Sequence, residues 1–275
     1  MGKSISWGKV ANWYNNLIEQ DENSYQRRLI LPSLLRLVEL KRGEVLLDLA
    51  CGQGFFSREL AKLGAKVIGV DISAELINIA RLQSPDPPAN DLQCRAGATA
   101  DGGQAKQDKN VEYHVSSADK LDFLKDKSID KVVIILALQN IEKVGETLRE
   151  VSRVLKEKGR LFIILNHPAF RIPKQSSWGW DESKKVQYRR IDSYLSESKE
   201  EIQMHPGEKP WEKTISFHRP LQFYFKALNK HGFVVSKLEE WVSHKISEEG
   251  PKKEAEDRSR HEFPLFLFLE AIQVS

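Results

Sequence analysis

Residues 44–71, EVLLDLACGQGFFSRELAKLGAKVIGVD, restrict the fold more than any other stretch of this 275-residue chain. Val45, Leu46 and Leu47 form a short apolar run that ends in Asp48, and the small-residue turn Leu49-Ala50-Cys51-Gly52-Gln53-Gly54 follows. Phe56, Leu60 and Leu63 then recur at i, i+4 and i+7, a helical spacing, and Gly64 stands where a C-terminal cap belongs. A second apolar run, Val67 to Val70, ends in Asp71. Strand, glycine turn, helix, strand and acid make one βαβ unit, which predicts parallel strands. Gly52 and Gly54 lack Cβ, so a ligand can come close to the backbone there. The helix that opens at the turn has free N–H groups to offer. Asp71, at the carboxyl end of its strand, is placed to accept both hydroxyls of a ribose. The unit therefore predicts a ligand that contains a nucleoside.

The turn discriminates among such ligands. A dinucleotide fingerprint wants G-x-G-x-x-G around a pyrophosphate. Here the small residues fall at 50, 52 and 54, Phe55 follows, and Asp48 precedes the turn. A carboxylate so near repels a pyrophosphate but suits an ammonium or sulfonium group, which argues against NAD and for S-adenosylmethionine. The pattern D-x-A-C-G-x-G followed by V-D resembles the first two motifs of class I S-adenosylmethionine-dependent methyltransferases, with Ala50 where the first glycine often stands. The resemblance implies a Rossmann-like methyltransferase fold and cofactor contacts from Asp48, Ala50, Gly52, Gly54, Asp71 and Ile72.

The rest of the chain extends the pattern. A helix is expected from Ile72 to about Leu82, a third strand at Val111–Val115, and a fourth from Ser128 to Leu138. The fourth is continuously apolar, as a central parallel strand is. A helix over 144–157 carries Val144, Leu148, Val151 and Leu155 on one stripe, and Leu161–Leu165 is the fifth strand. After the third strand, Ser117-Ala118-Asp119 matches a position where the resemblance implies that Asp119 contacts the adenine amino group, with Ala118 beside the ring; Asp119 is otherwise a loop carboxylate capping the next turn. Gln139, at the carboxyl end of the fourth strand, either bonds the cofactor or substrate or begins a helix. Near the C-terminus, F-H-R-P-L-Q-x-Y-F-x-A-L-x-x-x-G-F looks like the closing helix and strand of small-molecule methyltransferases related to quinone-pathway enzymes. The expectation is an α/β, doubly wound, seven-stranded, mostly parallel sheet with an antiparallel edge strand and a lid inserted after the fifth strand. Its parts are a helical cover (1–43), a cofactor-binding core (44–165) with a disordered insertion at 84–109, the lid (166–218) and closing helix and strands (219–275).

Within 166–218 helical periodicity is poor, and Trp178, Trp180, Tyr188, Tyr194, Trp211 and Phe217 stand among polar residues. A long irregular segment at the carboxyl edge of a sheet suits substrate recognition. Methyl transfer from a sulfonium needs a general base only if the nucleophile keeps its proton, and His167 and His218 are the candidates, each otherwise a structural histidine. Arg171, Arg189, Arg190 and Arg219 offer pairing to a substrate carboxylate or phosphate or serve as surface charges. In SWGKVANWYN, Tyr14 is the candidate to close over the cofactor, since an aromatic face near a sulfonium gains about 0.5–2 kcal/mol.

The expected partner is a small-molecule methyl acceptor with an O, N or C nucleophile. A nucleic-acid methyltransferase is the rival, but a net charge of +3 is weak, and acids at 181, 182, 197, 200 and 201 dilute the basic residues of the lid. Leu138-Gln139-Asn140-Ile141 also departs from the N/D-P-P-Y/F pattern of base-amino methyltransferases. A non-catalytic cofactor-binding scaffold would show a broken turn or lack the ribose acid, and both are intact. Cys51 and Cys94 suggest neither a metal site nor a disulfide framework, and with no apolar signal core or membrane-length run the chain reads as cytoplasmic.

Overall fold

The structure, a computed structural model, describes Trp7 and residues 11–84, 110–203 and 213–274, without the side chains of residues 12–14 and 17. Residues 85–109, most of the expected insertion, lie outside the described residues, as do Cys94 and Trp211. The strands are β1 (Val45–Leu49), β2 (Lys66–Asp71), β3 (Val111–Val115), β4 (Ile129–Ile135), β5 (Leu155–Asn166), β6 (Ser176–Asp181), β7 (Val186–Ile191), β8 (Ser198–Gln203), β9 (Lys213–His218), β10 (Phe233–Trp241) and β11 (Phe266–Gln273). The helices are α1 (Ala11–Gln20), α2 (Leu31–Val38), α3 (Phe55–Ala61), α4 (Ala74–Gln83), α5 (Val144–Val154), α6 (Leu221–Lys230) and α7 (Lys253–Glu262).

Seven strands form one sheet in the order β10-β11-β5-β4-β1-β2-β3. β1 to β5 pair in parallel, while β11 runs antiparallel to both β5 and β10, so the antiparallel pairing closes one edge of the sheet. Adjacent residues of the central strands enter opposite cores. Leu47, Val132, Ile134, Ile163 and Leu165 pack with α5 and α6, whereas Leu46, Val133, Phe162 and Ile164 pack with α2 and α3. A strand covered on both faces has to be apolar throughout, which is why these runs show no alternation.

Several boundaries differ from the sequence reading. β4 stops at Ile135, because Leu136 adopts a left-handed φ of 52° and donates its N–H to Ile164 O, 2.8 Å away. The apolar run continues as a buried 3₁₀ turn, Leu138–Asn140. α5 ends at Val154, and β5 starts at Leu155, which pairs with Ile129 before the register shifts. The expected irregular lid contains two antiparallel ribbons, β6–β7 and β8–β9.

Candidate active site

Three of the loops at the carboxyl ends of β1–β4 enclose a cavity of about 330 Å³, together with the segment after β4. Open α/β sheets bind ligands at this edge. Among the expected cofactor residues, Ala50, Gly52, Asp71, Ile72, Ala118 and Asp119 line it. The turn that carries the first two needs left-handed backbone, with φ of 61° at Ala50, 58° at Gly52 and 80° at Gly54. Asp71 ends β2 only 8% exposed. Its Oδ2 accepts from Gly52 N and its Oδ1 from Ser73 N, each at 2.9 Å. Burial pushes its pKa above the ordinary carboxylate value, against the pull of the Ser73, Gly52 and Ile72 N–H groups. A carboxylate has about four lone-pair sites, so both oxygens keep accepting capacity toward the cavity. Ile72 follows it 70% exposed, a large apolar side chain standing at the rim. These groups fit a nucleoside: apolar walls at Ile72, Leu76 and Ala118, and a carboxylate beside them.

Asp119 also lines the cavity, but its carboxylate is engaged by Ser117 Oγ and by Lys143 Nζ at 3.0 Å, which together hold it below its ordinary pKa. Asp48 lies beneath the turn and does not line the cavity. It is 1% exposed, accepts from Ser57 Oγ at 2.6 Å, and burial pushes its pKa up to about 7. Gly54 likewise lies away from the cavity, where a Cβ would collide with the Tyr113 hydroxyl. Of Tyr14 only the backbone in α1 is described; its side chain lies outside the described residues.

Tyr113 is a structural member of the site that the sequence reading missed. It stands on β3 opposite Gly69 of β2, and a Cβ at Gly69 would come 2.5 Å from Tyr113 Cδ1. The signal was Gly69 itself, since glycine within a strand marks a close approach. Trp7, Lys143 and Asn140 also line the cavity and were not singled out. Glu19 ties α1 to the core near this site, receiving Arg58 at 2.6 Å and Arg27 at 2.9 Å.

A second cavity, of about 250 Å³, lies beyond the segment 136–143. Gln139 faces this cavity rather than the first; its Nε2 donates to Leu136 O at 2.7 Å, and its Oε1 is buried without a donor among the described residues. Asn166, Arg171, Arg189, His218, Arg219 and Tyr224 also line it. His218 Nε2 donates to Tyr194 O at 2.7 Å, leaving Nδ1 as the basic atom of the neutral ring. His167 lines neither cavity. Its Nδ1 accepts from Ala169 N at 3.2 Å and its Nε2 donates to Glu240 at 2.8 Å, so both ring nitrogens are engaged and the base expected there is a buried tie between β5 and β10. Burial holds its pKa below the ordinary value although Glu240 pulls the other way. Arg190 is a surface residue paired with Asp192 at 2.6 Å. Among the described residues there is no cluster of three or more metal-ligating side chains, and no helix is long and apolar enough to cross a membrane.

Residues 47–163 match the family described as "Methyltransferase domain". A demethylmenaquinone methyltransferase of Chlorobaculum parvum is 29% identical over 154 residues, covering 56% of this chain and 54% of that protein. A ubiquinone biosynthesis O-methyltransferase of Xanthomonas oryzae pv. oryzae is 28% identical over 121 residues, covering 44% and 42%. The chain thus spans about half the length of these relatives. An S-adenosylmethionine dependent methyltransferase from Mesorhizobium loti superposes with a TM-score of 0.64 at 24% identity, over 88% of this chain and 96% of that one, and so shares the fold. Residues 47–163, which carry the glycine turn and Asp71, are thus similar to a methyltransferase domain, and the chain shares the fold of S-adenosylmethionine dependent methyltransferases.

Proposed function

We propose that this protein moves a methyl group from S-adenosylmethionine to an O, N or C nucleophile of a small molecule, in the cytoplasm, by in-line displacement. The observation that carries the proposal is the Asp71 carboxylate at the wall of the first cavity, bracketed by Gly52 and Ile72. S-adenosylmethionine supplies a methyl group already activated on a sulfonium. The chain then has three tasks. Asp71 accepts the ribose hydroxyls while Ile72, Leu76 and Ala118 enclose the base. The second cavity holds the body of the acceptor and excludes water from it, with the nucleophile reaching past the segment 136–143 to meet the methyl group in line. His218 Nδ1 takes the proton where the acceptor is O–H or N–H. The names of the two relatives, one acting on demethylmenaquinone and one in ubiquinone biosynthesis, support a small acceptor over a nucleic acid.

Calorimetric titration with S-adenosylmethionine and, separately, NADH tests this. Micromolar binding of the first and none of the second is expected. Asp71→Ala removes the acceptor of two hydroxyls and is expected to weaken S-adenosylmethionine binding by about 10- to 100-fold, at roughly 1.5–3 kcal/mol for hydrogen bonds to a charged group. Unchanged affinity in that variant would sink the placement of the ribose.

A further inference from the structure

The second cavity gathers positive charge and sets nothing against it. Arg171, Arg189 and Arg219 line it, and among the described residues no Asp or Glu does. Arg219 is already engaged, donating to Ile141 O at 3.0 Å and Glu142 O at 2.9 Å, with Glu197 at 4.0 Å. Arg189 has only neutral partners: Phe170 O at 2.8 Å, Ser176 Oγ at 2.7 Å, and the Trp178 ring 5.0 Å below the guanidinium. Arg171 has still less. Its guanidinium has no hydrogen-bond acceptor and no carboxylate among the described residues, and the Phe266 ring lies 5.6 Å away.

Arg171 is exposed and Arg189 half-buried, and both line the second cavity. Desolvation pushes each guanidinium below the ordinary arginine value, and the charge of Arg189 adds to that effect on Arg171. With Arg189, Arg171 also lines a third cavity of about 200 Å³, walled by Tyr25, Phe170, Trp178 and Phe263. Among the described residues no acid lines that cavity either. By contrast Arg36 meets Glu239, Arg153 meets Glu150 and Asp126, and Arg190 meets Asp192. Two neighbouring guanidiniums without a counter-ion among the described residues repel each other, and an anion between them would relieve that repulsion. Their planar forks match an oxyanion, and low local polarity strengthens that pairing.

We infer that Arg171 and Arg189 clamp an oxyanion group of the methyl acceptor, a carboxylate or a phosphate, so that the acceptor is an organic acid or an organic phosphate. Arg171 and Arg189 share the second cavity with Gln139, so the clamp would direct the acceptor's reacting atom toward the segment 136–143. This inference rests on reading the second cavity as the acceptor site.

The test titrates inorganic phosphate, benzoate and the neutral isostere benzamide into the protein, with and without S-adenosylhomocysteine. Wild type and the variants Arg171→Gln, Arg189→Gln and Arg190→Gln are compared. At least one anion is expected to bind, with benzamide at least tenfold weaker than benzoate if benzoate is that anion. Arg171→Gln and Arg189→Gln each weaken that binding tenfold or more, and Arg190→Gln leaves it unchanged. Phosphate alone identifies an organic phosphate as the acceptor class, and benzoate alone an organic acid. Binding of neither anion, or equal binding in wild type and both cavity variants, overturns the clamp. S-adenosylmethionine affinity, measured on the same samples, reports separately on the donor site and is expected to be the same in all four proteins. Thermal melting checks folding: because Arg171 has no partner to lose, Arg171→Gln is expected to melt no lower than wild type.

Discussion

Tyr113 bears the weight of the glycine turn. Its ring fills the space left by the missing side chains of Gly54 and Gly69, and its hydroxyl is bracketed by Gly54 O and Ser84 Oγ, each at 3.4 Å. Gly69→Ala is therefore expected to overpack the site. Its Cβ would also stand 3.0 Å from Cys51 Sγ, so two neighbours would have to shift. The expected loss is about 1–3 kcal/mol, read from a urea transition whose midpoint falls while its slope holds. An unshifted midpoint would mean that the ring moves aside without cost. Single residues were legible where their chemistry is tied to an element end: Asp71 and Gly52 could be placed at the cavity because an acid and a glycine at the carboxyl edge of a strand have few other uses. Tyr113 could not be, because its role depends on the register that sets it against Gly69, and register comes only with the assembled sheet.

The connections between elements were the least legible. In β9 the buried face is made by Thr214, Ser216 and His218 while Ile215 and Phe217 stand on the less buried one, so the period-two alternation is inverted and points the wrong face inward. β4 misled in the opposite way, since the apolar run outlasts the strand and Leu138 is buried within the turn that follows. His167 belongs to this scale. It joins the end of β5 to Glu240 on β10 across the intervening β11. His167→Gln should lower the melting temperature by a few degrees, the ordinary result of losing a buried hydrogen bond. Methyl transfer per folded molecule should stay within about twofold of wild type. A loss of kcat of a hundredfold or more at unchanged stability would restore His167 as the base.

The whole molecule is a sheet with two cores, and that plan was the most legible part. Alternating strands and helices with strands apolar on both faces admit few other arrangements. What the plan conceals is a charge beneath its centre. Asp48 is buried among β1, α3 and the turn, with a pKa of about 7 against an ordinary 3.8. A carboxyl raised in the folded state lends stability below pH 3.8, and that contribution fades as pH rises through 7. His167, depressed by burial, acts in the opposite sense and favours the folded state above the ordinary histidine range. Asp48→Asn keeps an acceptor for Ser57 but cannot ionise. Without ligand, it is expected to raise the melting temperature by on the order of 5 °C at pH 8 and by much less at pH 5. Equal shifts at the two pH values would mean that Asp48 is ionised throughout.

The partition formed by residues 136–143 has a thermodynamic consequence. Leu136, held in left-handed backbone at φ 52°, faces the first cavity with Ala137, Asn140 and Ile141, while Gln139 faces the second. One short segment cannot yield to a ligand on one side without moving on the other. Occupancy of the two cavities is thereby coupled, and the coupling must be reciprocal: whatever factor the donor applies to acceptor affinity, the acceptor applies to donor affinity. Titrating each in the presence of the other should return the same factor twice, in the range of about 5- to 150-fold for a coupling of typical size. A factor of one in both directions would describe two independent chambers that share a rigid wall.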